Sequence, residues 1–86
     1  MKQVKYFYLK DSPYCRKADR YIASLCSLEP RYADVPLERI EASEQPELAA
    51  RYGCDAVPAF YVDGSKLHEG AATLEMVKSV LDVAMR

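Results

Sequence analysis

The sequence is poor in metal-binding and cross-linking residues. Among its 86 residues are one histidine, His68, and three cysteines, Cys15, Cys26 and Cys54. There is no Cys-x-x-Cys pair, so a closed zinc site is not expected. Three cysteines are an odd number and lack the spacing of a disulfide framework. We therefore expect free thiols, as in a reducing compartment.

An excess of charge of one sign and long apolar runs are also missing. Lys plus Arg is 12 and Asp plus Glu is 13, which gives a formal net charge of −1 without a basic arm or an acidic tail. Nucleic acid and anionic membranes are therefore not expected partners. No apolar run is long enough to cross a bilayer, and the N-terminal MKQVKYFYLKDS lacks the apolar centre of a signal peptide. A cytoplasmic location is the default expectation.

The composition present is that of one globular domain, which we expect to span residues 1–86. Half of the residues are hydrophobic and 29% are charged. Strand-like and helix-like patterns alternate along the chain. The predicted elements are a strand at 3–9, a helix at 13–28, a strand at 35–42, a helix at 43–53, a hairpin at 57–70 and a helix at 73–85. The predicted order is βαβαββα.

Local signals place these elements in a four-stranded mixed sheet with helices on both faces. The near-continuous apolar run QVKYFYL is typical of a central strand, whereas Pro36 favours an edge strand for the second. The first two strands should be parallel, because a helix connects them. Asp63-Gly64 predicts a tight hairpin turn. Ser43 is the predicted cap of the second helix and Gly53 its stop. In the first helix, apolar side chains recur at helical spacing: Ala18, Tyr21, Ile22, Leu25 and Leu28.

The segment LKDSPYCRKADRY carries the chemistry. It places Ser12-Pro13-Tyr14-Cys15 at the start of the first helix, and a Val-Pro pair opens a strand about forty residues later. This order of elements and motifs resembles the glutaredoxin branch of the thioredoxin fold, and in particular compact bacterial glutaredoxin-like proteins with a CPYC motif. The resemblance spans nearly the whole chain. It implies an α/β, thioredoxin-like (glutaredoxin) fold and a thiol–disulfide oxidoreductase activity.

The resemblance assigns the catalytic positions to Ser12 and Cys15. In the family the first motif cysteine lies at a helix N-terminus, where free N–H groups and the helix dipole stabilise a thiolate. Such a site can lower a cysteine pKa from ~8.5 into the range of ~3.5–7.5. The thiolate attacks a disulfide, and the second cysteine resolves the mixed disulfide. Ser12 breaks this cycle at its first step, since a hydroxyl is not ionised near neutral pH and forms no disulfide.

Three explanations of Ser12 remain open. Serine could replace a cysteine in order to silence or trap an enzyme, or could stand in for the selenocysteine that some anaerobes place here. It could also be the natural residue of a diverged module that binds thiols without exchanging them. Finally, its hydroxyl could cap the helix by accepting the N–H of Tyr14 or Cys15, which is compatible with either of the others.

The resemblance also implies a substrate cleft. The proline equivalent to Pro58 is cis in the family, and the backbone of the residue before it, here Val57, pairs with glutathione or an extended substrate. The other reading is an ordinary trans proline that opens a strand. The implied substrate-binding residues are Lys10, Pro13, Tyr14, Val57, Pro58, Gly70 and Ala71. Arg16 and Lys17 either add positive potential around the motif or are solvated helix surface.

The leading hypothesis is thus a glutaredoxin-like oxidoreductase that is inactive or trapping as written. Its rival is a non-redox binding module for glutathione or a peptide thiol. No tightly bound cofactor or metal is expected, and glutathione is a possible co-substrate. The expected partner is a disulfide-containing protein or a glutathione mixed disulfide, and the expected state is a monomer. Cys54 is interpreted either as a surrogate partner of Cys15 or as a small apolar loop residue.

Overall fold

The computed structural model describes residues 1–86 and contains the predicted elements in the predicted order. Their bounds are β1 Val4–Tyr8, α1 Pro13–Leu28, β2 Leu37–Glu41, α2 Pro46–Arg51, β3 Ala59–Val62, β4 Ser65–Glu69 and α3 Leu74–Met85. A short 3₁₀ helix, Pro30–Asp34, follows α1 and was not predicted. Pro30 ends α1, as expected, and its fixed φ suits the first turn of the 3₁₀ helix. None of these helices combines the length and apolar character needed to span a membrane.

The four strands form one mixed sheet in the order β2-β1-β3-β4. Strand β1 is central: it runs parallel to β2 and antiparallel to β3. Strand β2 is an edge strand, as Pro36 predicted. The carboxyl ends of β1 and β2 and the amino end of β3 therefore meet at one end of the sheet, which we call the turn end.

Helices cover both faces of the sheet, as expected. Helices α1 and α3 pack on one face over a core of 13 buried residues that includes Val4, Ile22 and Phe60. Helix α2 covers the other face over a smaller cluster: Phe7, Ile40, Ala49, Ala59 and Tyr61. Leu28 shares the helical spacing of the buried side chains of α1, but as the last residue of the helix it is 80% exposed.

Two of the predicted turn signals are confirmed, and one helix cap was wrong. Asp63 (φ 48°) and Gly64 (φ 83°) join β3 to β4 in the left-handed region that a two-residue hairpin requires. Gly53 (φ 68°) ends α2, and its N–H donates to the Ala50 carbonyl. Ser43 does not cap α2, since the helix begins at Pro46, three residues later.

Candidate active site

The β1–α1 turn places Ser12 at the N-terminus of α1. Ser12 is the N-cap residue, with φ −81° and ψ 123°, and Pro13 occupies the first turn. The Ser12 Oγ accepts a hydrogen bond from the Cys15 N–H at 3.3 Å. The predicted cap is therefore confirmed. The hydroxyl occupies the point at which the free amides of the helix converge, which is where an anion would be stabilised.

Cys15 lies one turn into α1 and is enclosed, with only 1% of its surface exposed. Its Sγ lies 3.5 Å from the Leu9 backbone N–H, which donates to it. Below it, the buried Tyr6 hydroxyl donates to the Cys15 carbonyl at 3.1 Å. Burial is the largest cause that raises the pKa of Tyr6, and the nearby Asp19 carboxylate adds to it. Tyr6 therefore remains a neutral donor that fixes the backbone at Cys15.

The Val57-Pro58 pair lies at the same end of the sheet. The peptide bond between them is cis, as the resemblance implied. Phe7 pairs with Ala59 across β1 and β3, so the residues just before Ala59 lie beside the end of β1, from which the Ser12 turn departs. Pro58 is buried, whereas neither the N–H nor the C=O of Val57 has a hydrogen-bond partner within the chain. Val57 thus has one backbone donor and one backbone acceptor that the chain leaves unpaired.

Gly70 and Ala71 lie next to this pair. The Gly70 N–H donates to the Pro58 carbonyl at 2.9 Å, which ties the end of β4 to the start of β3. The His68 Nε2 lies 2.9 Å from the Gly70 carbonyl and 3.0 Å from the Ala71 carbonyl. This arrangement holds the segment that leads to the N-terminus of α3 at the turn end.

Glu41 is part of this region and was missed from the sequence. It is the one charged residue in the core, 7% exposed, although it ends an edge strand. Its carboxylate accepts the Ser43 N–H and hydroxyl, both at 2.6 Å, and the Lys10 N–H at 3.1 Å. These bonds, the Ser43 hydroxyl first, lower the pKa of Glu41. The only sequence signal was a serine two residues after a strand-ending acid, which is too common to be diagnostic.

Glu41 and Ser12 share an open cavity of about 370 Å³ on the β2 side of the turn. Its lining residues are Leu9, Lys10, Asp11, Ser12, Glu41 and Ser43. The carboxylate therefore joins the loop after β1 to the loop after β2, and it fixes the backbone that leads into Ser12.

Cationic and aromatic side chains surround the mouth of the turn. Lys10, Arg16 and Lys17 are exposed, and none of them takes part in the ion pairs of the chain. Tyr14 projects from the first turn of α1 and is 56% exposed. The structure thus brings the predicted catalytic and substrate-binding residues to one end of the sheet.

The other two cysteines lie outside the Ser12-Cys15 turn in sequence. All three cysteines are free thiols. The Cys54 thiol donates to the Ala56 carbonyl at 3.5 Å, and burial followed by the charge of Glu69 raises the pKa of Cys54. Cys26 is half-buried and packs against the main core. No three His, Cys, Asp or Glu residues are grouped so that they could hold a metal ion.

Comparisons with known proteins identify the fold. No family model and no curated protein matches the sequence. Among solved structures, mitochondrial thioredoxin 3 of Saccharomyces cerevisiae is 25% identical over 94% of this chain and 77% of that chain, with a TM-score of 0.71. A mutant thioredoxin from Halobacterium salinarum is 19% identical over 99% and 75%, with a TM-score of 0.72. The oxidised thioredoxin of Plasmodium falciparum is 14% identical over 95% and 79%, also at 0.72. The chain has the thioredoxin-like α/β fold.

Proposed function

We propose that the chain is a small thiol–disulfide oxidoreductase of glutaredoxin type in which Ser12 occupies the position of the attacking sulfur. The observation that carries this proposal is the Ser12 hydroxyl at the N-terminus of α1, bonded to the Cys15 N–H, with the Cys15 thiol one helical turn away. A sulfur in place of that oxygen would meet the same N–H group and the same helix dipole. These are the two groups that favour a thiolate.

The exchange needs both positions of the turn. In a Ser12→Cys variant, the introduced thiolate attacks one sulfur of a substrate disulfide, breaks the S–S bond and releases one substrate thiolate. Cys15 then loses its proton to solvent and attacks the introduced sulfur, which releases the second substrate thiolate. The substrate gains two electrons and the protein dithiol becomes a disulfide. Two glutathione thiols return it to the dithiol and leave as glutathione disulfide.

Val57 supports the choice of a peptide-like substrate. Its free N–H and C=O can pair with one residue of an extended backbone, as in the addition of a strand to a sheet. The Pro58 carbonyl is already bonded to Gly70, so the free pair is confined to one residue. Tyr14 and Lys10, both exposed, offer an apolar surface and a positive charge nearby.

One observation favours the rival function, a binding module without exchange chemistry. In the chain as written, the Ser12 hydroxyl serves as a helix cap, and the one thiol of the turn is almost fully enclosed. No accessible sulfur remains at the turn. The chain as written would therefore hold a thiol or peptide ligand and leave its sulfur unchanged.

Turnover by Ser12→Cys, measured beside the chain as given, tests the proposal. Two substrates are used: a glutathione mixed disulfide and a protein disulfide, each with excess glutathione. We expect the variant to reduce both and the chain as given to reduce neither. A second variant, Ser12→Cys with Cys15→Ser, incubated with the protein disulfide without glutathione, should accumulate a mixed disulfide, which is visible as a mass increase. If Ser12→Cys is folded and silent on both substrates, the oxidoreductase proposal fails and the binding module replaces it.

A further inference from the structure

The exposed face of α1 carries cations that have no partners. Arg16, Lys17 and Arg20 are all exposed, and Lys10 is exposed in the turn just before the helix. Five other cations of the chain make ion pairs, namely Lys5, Arg31, Arg39, Lys66 and Lys78. We call Lys10, Arg16, Lys17 and Arg20 the basic face.

Nearby acidic residues do not neutralise the basic face. Asp11 makes no ion pair, and Asp19 lies 3.8 Å from the guanidinium of Arg39, on β2, instead of pairing along its own helix. The inner side of α1 is fixed by buried Cys15, Ala18, Ile22 and Leu25. Arg16 and Arg20, four residues apart, therefore share the outer side of the helix. The cations are held toward solvent beside the Ser12 turn.

These cations lie where they destabilise the helix. The helix dipole favours acids in the first turn and bases in the last. Helix α2 follows this rule with Glu47 and Arg51, and α3 begins with Glu75. Helix α1 has no acid in its first turn and no base in its last. Its cations lie in the half nearest Ser12, where they add to the positive potential of the helix N-terminus.

We infer that the basic face is a docking surface for a protein segment with acidic side chains around its disulfide. This inference rests on the proposed function, and it names the class of substrate. Arg20 lies eight residues beyond Ser12, about 12 Å along the helix axis. A tripeptide such as glutathione spans only about 10 Å when fully extended. A ligand with its sulfur at Ser12 must therefore be longer than glutathione to reach Arg20.

Equilibrium binding to the chain as given tests the inference without any exchange chemistry. The probes are two decapeptides with one S-methylcysteine, flanked by glutamates in one and by glutamines in the other. A single-stranded oligonucleotide with the charge of the acidic peptide is the third probe. We expect the acidic peptide to bind at least ~10-fold more tightly than the neutral one at low salt, and the difference to vanish near ~0.5 M salt.

A matched pair of triple variants localises the effect. Arg16→Gln/Lys17→Gln/Arg20→Gln should bring the acidic-to-neutral ratio close to one, since three of the four charges that select the acidic peptide are gone and only Lys10 remains. Lys2→Gln/Arg51→Gln/Arg86→Gln removes three cations that are also unpaired but lie elsewhere, and it should keep the ratio. Equal binding of the two peptides, an unchanged ratio in the first triple variant, or tighter binding of the oligonucleotide would each overturn the inference.

A kinetic arm separates this inference from the proposed function. Ser12→Cys is assayed with the same two peptides, in which a disulfide-bonded cysteine replaces the S-methylcysteine. If neither is reduced while the chain as given still prefers the acidic peptide, the oxidoreductase proposal fails and the docking surface stands. If both are reduced at equal rates and bind equally, the function stands and the docking surface fails.

Discussion

Ser12 and Thr73 cap two helices with the same hydrogen bond in different surroundings. The Ser12 Oγ accepts the Cys15 N–H at 3.3 Å, and the Thr73 Oγ1 accepts the Met76 N–H at 3.2 Å. Glu75 lies in the first turn of α3, as the helix dipole favours, whereas α1 has no acid in its first turn. A hydroxyl cap alone therefore marks no active site. What distinguishes Ser12 is the enclosed thiol one turn away and the unneutralised positive charge around it.

The largest expected effect comes from placing a sulfur at each cap in turn. Ser12→Cys should reduce a peptide disulfide more than about a hundredfold faster than the chain as given, since loss of a nucleophile costs other enzymes far more than this. Thr73→Cys should reduce the peptide disulfide no faster than the chain as given. Its sulfur would also meet a helix N-terminus, but the third helical position there is Met76, which cannot resolve a mixed disulfide. The measurement is the initial rate of thiol release at pH 7.

Comparable turnover in Thr73→Cys would show that the two caps do not differ in this chemistry. Any helix N-terminus of this fold would then suffice, and the surroundings of Ser12 would be irrelevant. Thermal unfolding of both variants shows whether each is folded, so that a silent variant can be interpreted.

The second-largest expected effect concerns the hydrogen bonds that hold the backbone before each cap. The backbone before Ser12 is held by the Glu41 carboxylate, whereas the segment before Thr73 is held by the backbone bond from Gly70 to Pro58. The hydrogen bonds of the folded state lower the pKa of Glu41 below its ordinary value of 4.5. Its contribution to stability is therefore complete above pH 4.5, and it is lost as the pH falls through the lowered pKa.

Urea unfolding of the chain and of Glu41→Gln from pH 7 to pH 3 measures this contribution. We expect Glu41→Gln to be less stable at pH 7 and to lose less stability on acidification. Glu29, Glu69 and Asp82 also have lowered pKa values and are left intact in the variant, so the residual acid sensitivity belongs to them. Parallel stability curves for the two proteins would show that Glu41 does not titrate in this range.

The third effect is the contribution of the caps themselves. Ser12→Ala and Thr73→Ala each remove one acceptor from a helix N-terminus, and each should lower the free energy of unfolding by about 1 kcal/mol. Equal losses would show that Ser12 is an ordinary cap in structural terms. A neutral Ser12→Ala would mean that the turn is held by Glu41 and the Leu9 N–H without help from the hydroxyl.

The sequence predicted the helices, the strands and the Ser12 cap better than the contacts between the loops that hold them. The bounds of α1, the central position of β1, the cap at Ser12 and the cis bond at Pro58 followed from local patterns and from the resemblance. Glu41 did not, because its partners Lys10 and Ser43 come together only when β1 and β2 pair. The exposure of Leu28 likewise depends on where α1 ends, which periodicity alone does not determine.

The smallest expected effect is a change in the stability of α1. Its sign shows whether the cations of this helix serve the stability of the fold or the binding of a ligand. Arg16→Glu removes a cation near the helix N-terminus and places a carboxylate four residues before Arg20, where such pairs stabilise helices. We expect the free energy of unfolding to rise by about 0.5 kcal/mol, and Glu75→Lys to lower it by a similar amount. Arg16→Glu should at the same time weaken the binding of an acidic peptide. If reversing the charge of Arg16 stabilises the fold and lowers the affinity for the acidic peptide, Arg16 does not serve stability. If Arg16→Glu is instead less stable, this argument for a functional basic face fails.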